Sequence, residues 1–228
     1  MNLNGTVART FVYILIAIAF VVAGFFIVTY AAGYSIDFKS RQISKTGLVS
    51  IQVQTEDTQI YLNSELIGTK STTLRNLEPG KYFIEVTRDG FWSWSKSIEL
   101  NEQEAISVGN IILFRKDAPT EPYSTGGITI GNIGSIADEN GISTHSGEIF
   151  VDDEMITRFS TEVSGLSWYP SNRYISFTTD GVLYIMSTDG TNLVKLAEKT
   201  SESPAVFTNS GKFVVFENNG QIFRSQIR

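Results

Sequence analysis

The chain contains no cysteine and a single histidine, His145. The first absence excludes disulfides, thiolate zinc sites and a cysteine nucleophile. The second excludes a multi-histidine metal site, and any Ser-His-Asp triad would have to be built on His145. No glycine-rich phosphate loop opens a helix. Basic residues are in deficit, with 18 Lys and Arg against 24 Asp and Glu for a net charge of −6. Such a chain has no electrostatic footprint for nucleic acid, and no cofactor motif is present.

Charge is missing altogether from residues 11–32, FVYILIAIAFVVAGFFIVTYAA. At 1.5 Å per residue a helix of that length reaches roughly 33 Å, enough to cross a hydrocarbon core of ~30 Å. Tyr13 and Tyr30 lie near its two ends and Tyr34 just beyond, as interfacial tyrosines do. Ala31-Ala32-Gly33 would pass as a signal cleavage site. A signal peptide's apolar region is shorter, however, at ~7–15 residues, so the run reads as an uncleaved single-pass anchor. Arg9 precedes it, whereas Lys39, Arg41 and Lys45 follow, offset by Asp37. That count alone would put the C-terminal side inside, but the rule weakens when a long domain follows.

From Gly47 onward short runs of Val, Ile, Phe and Tyr alternate with Gly, Asn, Asp and Ser turns. The spacing predicts an all-β body and no further amphipathic helix. Leu48 to Val53 alternates, Gln59-Ile60-Tyr61-Leu62 is a second strand, and Glu78-Pro79-Gly80 is a turn. Lys81 to Val86 is another strand, closed by Arg88-Asp89-Gly90. Ile60-Tyr61-Leu62-Asn63, Gly68-Thr69, Leu77-Glu78-Pro79-Gly80 with Tyr82, and Gly90-Phe91 with Trp94 resemble the PEGA domain family. The chain departs from that family's pattern at Thr55, Asp57, Thr58 and Ser71. The resemblance implies a small β-sandwich of bacterial envelopes without catalytic residues.

Residues 115–126 carry two prolines and read as a linker. Beyond them lies an internal repeat. Trp168 aligns with Phe207, Gly181 with Gly220 and Tyr184 with Phe223, a constant offset of 39. A period near 40 is the signature of four-stranded propeller blades. The turn Trp168-Tyr169-Pro170-Ser171-Asn172 is similar to that of TolB-type blades. Residues 127–228 hold only about two and a half such blades, too few to close a ring. The expectation is a fragment of a longer protein, with packing onto the PEGA-like module or completion by identical chains as alternatives.

The acidic run Asp152-Asp153-Glu154, with Asp138, Glu139 and Asn140 upstream, lacks the alternate spacing of a calcium loop and reads as a solvated hairpin. Trp92 and Trp94 are two apart, so a continuous strand would put both indoles on one face beside Phe91. Core packing explains them, and so does a stacking platform for sugar or peptide. Phe91, Trp92 and Trp94 are therefore the candidate ligand residues; no catalytic or metal residues are assigned.

The predicted fold is mainly β. It comprises an N-terminal tail (1–10), a transmembrane helix (11–32), a juxtamembrane segment (33–46) and a small PEGA-like β-sandwich (47–114). A linker (115–126) and incomplete propeller-like blades (127–228) follow. The expected function is non-catalytic: a single-pass membrane protein whose extracytoplasmic modules scaffold or bind an envelope protein or cell-wall glycan, with homo-oligomerisation open. A regulatory or sensory subunit of an envelope enzyme or transport complex is the alternative.

Overall fold

A computed structural model describes residues 5–31, 34–37, 42–124 and 141–228. The fold is mainly β, with one helix and several small sheets. Helix α1 spans Gly5–Ala31. Its stretch Arg9–Thr29 is long and apolar enough to cross a membrane. Phe11, Ile14, Phe20 and Val28 on it are all exposed, so the helix is apolar all round rather than amphipathic. Ala32 and Gly33, part of the stretch that would pass as a cleavage site, lie outside the described residues.

Nine strands follow up to residue 111: β1 (Tyr34–Asp37), β2 (Gln42–Lys45), β3 (Gly47–Val53), β4 (Gln59–Leu62), β5 (Glu65–Gly68), β6 (Thr72–Leu77), β7 (Gly80–Thr87), β8 (Trp94–Leu100) and β9 (Ala105–Ile111). β1 and β2 form a hairpin; the others form sheets of order β6-β3-β9 and β5-β4-β7-β8. The expected alternation is present, since Val49 and Ile51 of β3 and Ile84 and Val86 of β7 are fully buried. Asn63 and Ser64, both at positive φ, make the two-residue turn between β4 and β5.

The chain divides into two compact units. One comprises Met1–Ile51, Thr72–Tyr82 and Ile98–Val108; the other comprises Gln52–Ser71, Phe83–Ser97 and Gly109–Arg228. In the first, β3 pairs with β6 through Gly47↔Leu77 and Val49↔Leu74, and Leu48 donates its amide to the Glu104 carbonyl at 2.9 Å.

The second unit contains the remaining strands: β10 (Thr120–Pro122), β11 (Ile142–His145), β12 (Glu148–Val151), β13 (Glu154–Arg158), β14 (Ser164–Trp168), β15 (Tyr174–Thr179), β16 (Val182–Ser187), β17 (Val194–Glu198), β18 (Val206–Thr208), β19 (Phe213–Asn218) and β20 (Gln221–Gln226). They make three antiparallel sheets, β11-β12-β13, β14-β15-β16-β17 and β10-β20-β19-β18. The middle sheet is covered on both faces, because β15 is buried along its whole length. Side chains alternate between the faces. Tyr174, Leu183 and Ile185 join one cluster with Val214 and Phe216, while Ile175, Phe177 and Met186 join another with Ile142 and Ile149. The sheets therefore stack through their apolar faces, and no closed barrel or propeller forms among the described residues.

The repeat is visible as equivalent strands. β15 and β19 start 39 residues apart, as do β16 and β20. Their hairpins both turn at positive φ, Asp180-Gly181 in one and Asn219-Gly220 in the other. Within the stretch expected as a linker, β10 pairs with β20 through Pro122↔Phe223 and takes the place that β17 has in the middle sheet. Proline is tolerated there because β10 is an edge strand.

Candidate functional site

A cleft of about 430 Å³ opens in the second unit. It is lined by Gln54, Thr55 and Glu56, which follow β3, and by Arg88, which follows β7. Phe91 and Leu113 supply its apolar surface. Asn209 and Ser210, in the turn between β18 and β19, Lys212 just before β19, and Arg228 beyond β20 complete it.

Backbone pairing fixes these residues. Gln54 donates its amide to the Ile111 carbonyl at 3.1 Å, and the Leu113 amide donates to Thr55 Oγ1 at 3.4 Å. Phe91 bridges Arg115, and the Arg115 amide donates to the Ile227 carbonyl at 3.0 Å. The Phe91 ring lies beneath two guanidiniums, Arg88 at 4.6 Å and Arg115 at 5.3 Å from its centroid, each a cation–π contact. Arg115 Nε is buried and has no hydrogen-bond partner among the described residues.

Arg228 is held by several acceptors. Its guanidinium donates to Tyr169 Oη at 3.2 Å, to the Ser210 carbonyl at 3.4 Å and to Gln54 Oε1 at 3.5 Å. Burial pushes the Tyr169 hydroxyl above its ordinary value, and the neighbouring Arg228 charge opposes that rise. Arg88 reaches Asp57 only at 4.0 Å, and Asp57 is almost fully exposed, so this ion pair is weak. The lining thus includes three cations and one carboxylate, Glu56, beside the apolar Phe91 and Leu113.

The structure separates the three aromatic candidates. Phe91 is 7% exposed and lines the cleft. Trp94 is 8% exposed and is buried at the start of β8. Trp92 is 39% exposed, with Lys116 Nζ 5.7 Å from its ring. The two indoles do not form a common platform, because the strand that would align them begins only at Trp94. His145 is exposed at the end of β11. Asp152 and Asp153 are the two positive-φ residues of the β12–β13 hairpin turn, while Asp138, Glu139 and Asn140 lie outside the described residues.

Sequence reasoning reached Phe91 but assigned no binding role to Arg88, Lys212 and Arg228, which are far apart in the chain. The repeat offered one signal, since Lys212 stands 39 residues after Arg173 in the equivalent turn.

Residues 46–111 match the PEGA domain family. No curated protein matches the chain. The TolB-type propeller expectation is not supported by these comparisons. The reason is physical: a meander with glycine turns is a generic solution for burying two apolar faces, so a 39-residue period specifies meanders without specifying that family.

Proposed function

We propose that this protein is a non-catalytic binding module, anchored by α1 in a bacterial cell membrane with its β body on the extracytoplasmic side. The observation that carries the reading is the exposure of apolar side chains along Arg9–Thr29. An apolar surface of that extent requires cover, and a hydrocarbon core matches it in length. The PEGA match supports an envelope binding or scaffold role, and the cleft supplies a place to bind. Its lining offers ion-pairing, amide, hydroxyl and aromatic groups suited to holding a protein segment or wall component.

The test is cell fractionation of the full chain carrying a C-terminal epitope. The protein should stay in the membrane pellet at alkaline pH at its uncleaved mass, and added protease should remove the epitope from spheroplasts. Release at alkaline pH as a shortened chain would make α1 a signal sequence. Protection of the epitope would reverse the orientation.

A further inference from the structure

We propose that the cleft recognises a short peptide-like ligand carrying carboxylates. The inference rests on reading the protein as a binding module and names the chemistry of what is bound. The chain as a whole is acidic, with a net charge of −6, yet Arg88, Lys212 and Arg228 all line one concave surface in which Glu56 is the one acidic lining residue and Asp57 pairs only weakly with Arg88. A cationic cleft in an acidic surface concentrates the attractive field where it can select an anion.

Three features narrow the anion to a carboxylate-bearing peptide. First, Arg88 is supported through Phe91 and only weakly paired with Asp57, so its planar fork remains able to grip a carboxylate through two parallel hydrogen bonds. Second, Phe91 and Leu113 offer apolar surface beside Gln54, Thr55, Asn209 and Ser210, whose amides and hydroxyls match the donors and acceptors of a peptide backbone. Third, Glu56 stands in the lining. It opposes a densely charged polyphosphate more than a peptide, and it can accept hydrogen bonds from peptide N–H groups. At about 430 Å³ the cleft falls within the roughly 300–1,000 Å³ typical of small-ligand sites.

The experiment titrates the full chain in detergent micelles by calorimetry. The probes are acetyl-Ala-Glu-Glu-Ala-amide, acetyl-Ala-Gln-Gln-Ala-amide and inorganic tripolyphosphate. The acidic peptide should bind at least tenfold more tightly than the neutral one, and should weaken as salt shortens the Debye length. The double variant R88Q/K212Q should lose at least tenfold in affinity. Arg88→Lys, which keeps the charge without the fork, should lie between. Glu56→Gln should tighten the acidic peptide about threefold, which gives a second test if the double variant folds poorly.

Equal affinity for the two peptides, abolished by cleft-filling Lys212→Trp, would overturn the carboxylate reading and leave the cleft a binding site. Tighter binding of tripolyphosphate than of the acidic peptide would overturn it in favour of a phosphate ligand. Binding of no probe, or binding unaffected by any of these substitutions, would overturn both the carboxylate reading and the cleft's role. The fractionation result stands apart from all of these.

Discussion

Tyr169 donates its buried hydroxyl to the carbonyl of Gly211 at 3.1 Å, and a Cβ on Gly211 would lie 2.2 Å from the Tyr169 ring. Gly211 also holds φ at +80°. Gly211→Ala therefore combines backbone strain with overpacking of a ring that touches Phe114, Tyr174 and Phe207 edge-on. We expect a loss of about 3–5 kcal/mol, summing the two effects. Gly220 provides the comparison, with φ +73° and nothing within 4 Å of its Cβ position. Gly220→Ala should cost about 1 kcal/mol, from strain alone. Urea midpoints of the two variants should separate accordingly; equal midpoints would refute the ring contact.

Asn192 acts as a substitute strand partner for Ser95. Its Oδ1 accepts from the Ser95 amide at 2.8 Å, and its Nδ2 donates to the Ser95 carbonyl at 3.1 Å. Beside it, Lys96 Nζ lies 2.7 Å from Asp189. Asn192 has φ +55°, which asparagine tolerates better than most residues. Asn192→Gly should lose the two bonds but keep the backbone, costing about 1–3 kcal/mol. Asn192→Ala should cost more, because strain is added. Thermal melting that ranks glycine below alanine would show that backbone strain at this position does not set the cost.

Acid should expose the neighbouring ion pair. Burial works against the Asp189 carboxylate, but hydrogen bonds from Lys96 and Thr191 outweigh it and hold the group below its ordinary value of 3.8. A carboxyl depressed in the folded state stabilises above its unfolded value, and that stability is lost as pH falls through the folded one. Lys96→Met should flatten the decline in melting temperature below about pH 4. An unchanged acid limb would mean that the pair contributes nothing.

The legible parts of the fold were those written in local periodicity. The apolar run of α1, the alternation in β3 and the positive-φ turns of the repeat follow from side-chain spacing alone. So does the stacking of Phe177 on Tyr184 at 5.9 Å, repeated 39 residues later by Phe216 on Phe223 at 6.1 Å. What could not be read depended on distant pairing. β10 is three residues ending in proline and has no strand signal of its own; β20 makes it a strand. The cleft brings together Gln54, Arg88 and Lys212 from separate parts of the chain. Core packing, one of the two readings open for the tryptophans, holds for Trp94, whereas Trp92 is exposed because the strand begins only at Trp94.

Lys199 makes the last prediction, because it is fully buried yet carries an amine. Its Nζ donates to Thr178 Oγ1 at 3.0 Å and to the Ser201 carbonyl. Burial lowers its pKa to about 8, against partial support from Glu217 and Glu202. The ordinary lysine value is about 10.4, so the unfolded chain holds a proton between pH 8 and 10 that the folded one has released. Stability should therefore rise with pH across that window, by on the order of 3 kcal/mol at most. Tyr174 then reverses the trend. Burial raises its hydroxyl to about 12, so the unfolded chain deprotonates first above pH 10 and stability falls. Urea unfolding from pH 7 to 11 should show a maximum near pH 10. Lys199→Met should remove the rising limb and leave the falling one. A rising limb that survives in Lys199→Met would assign the titration to another group.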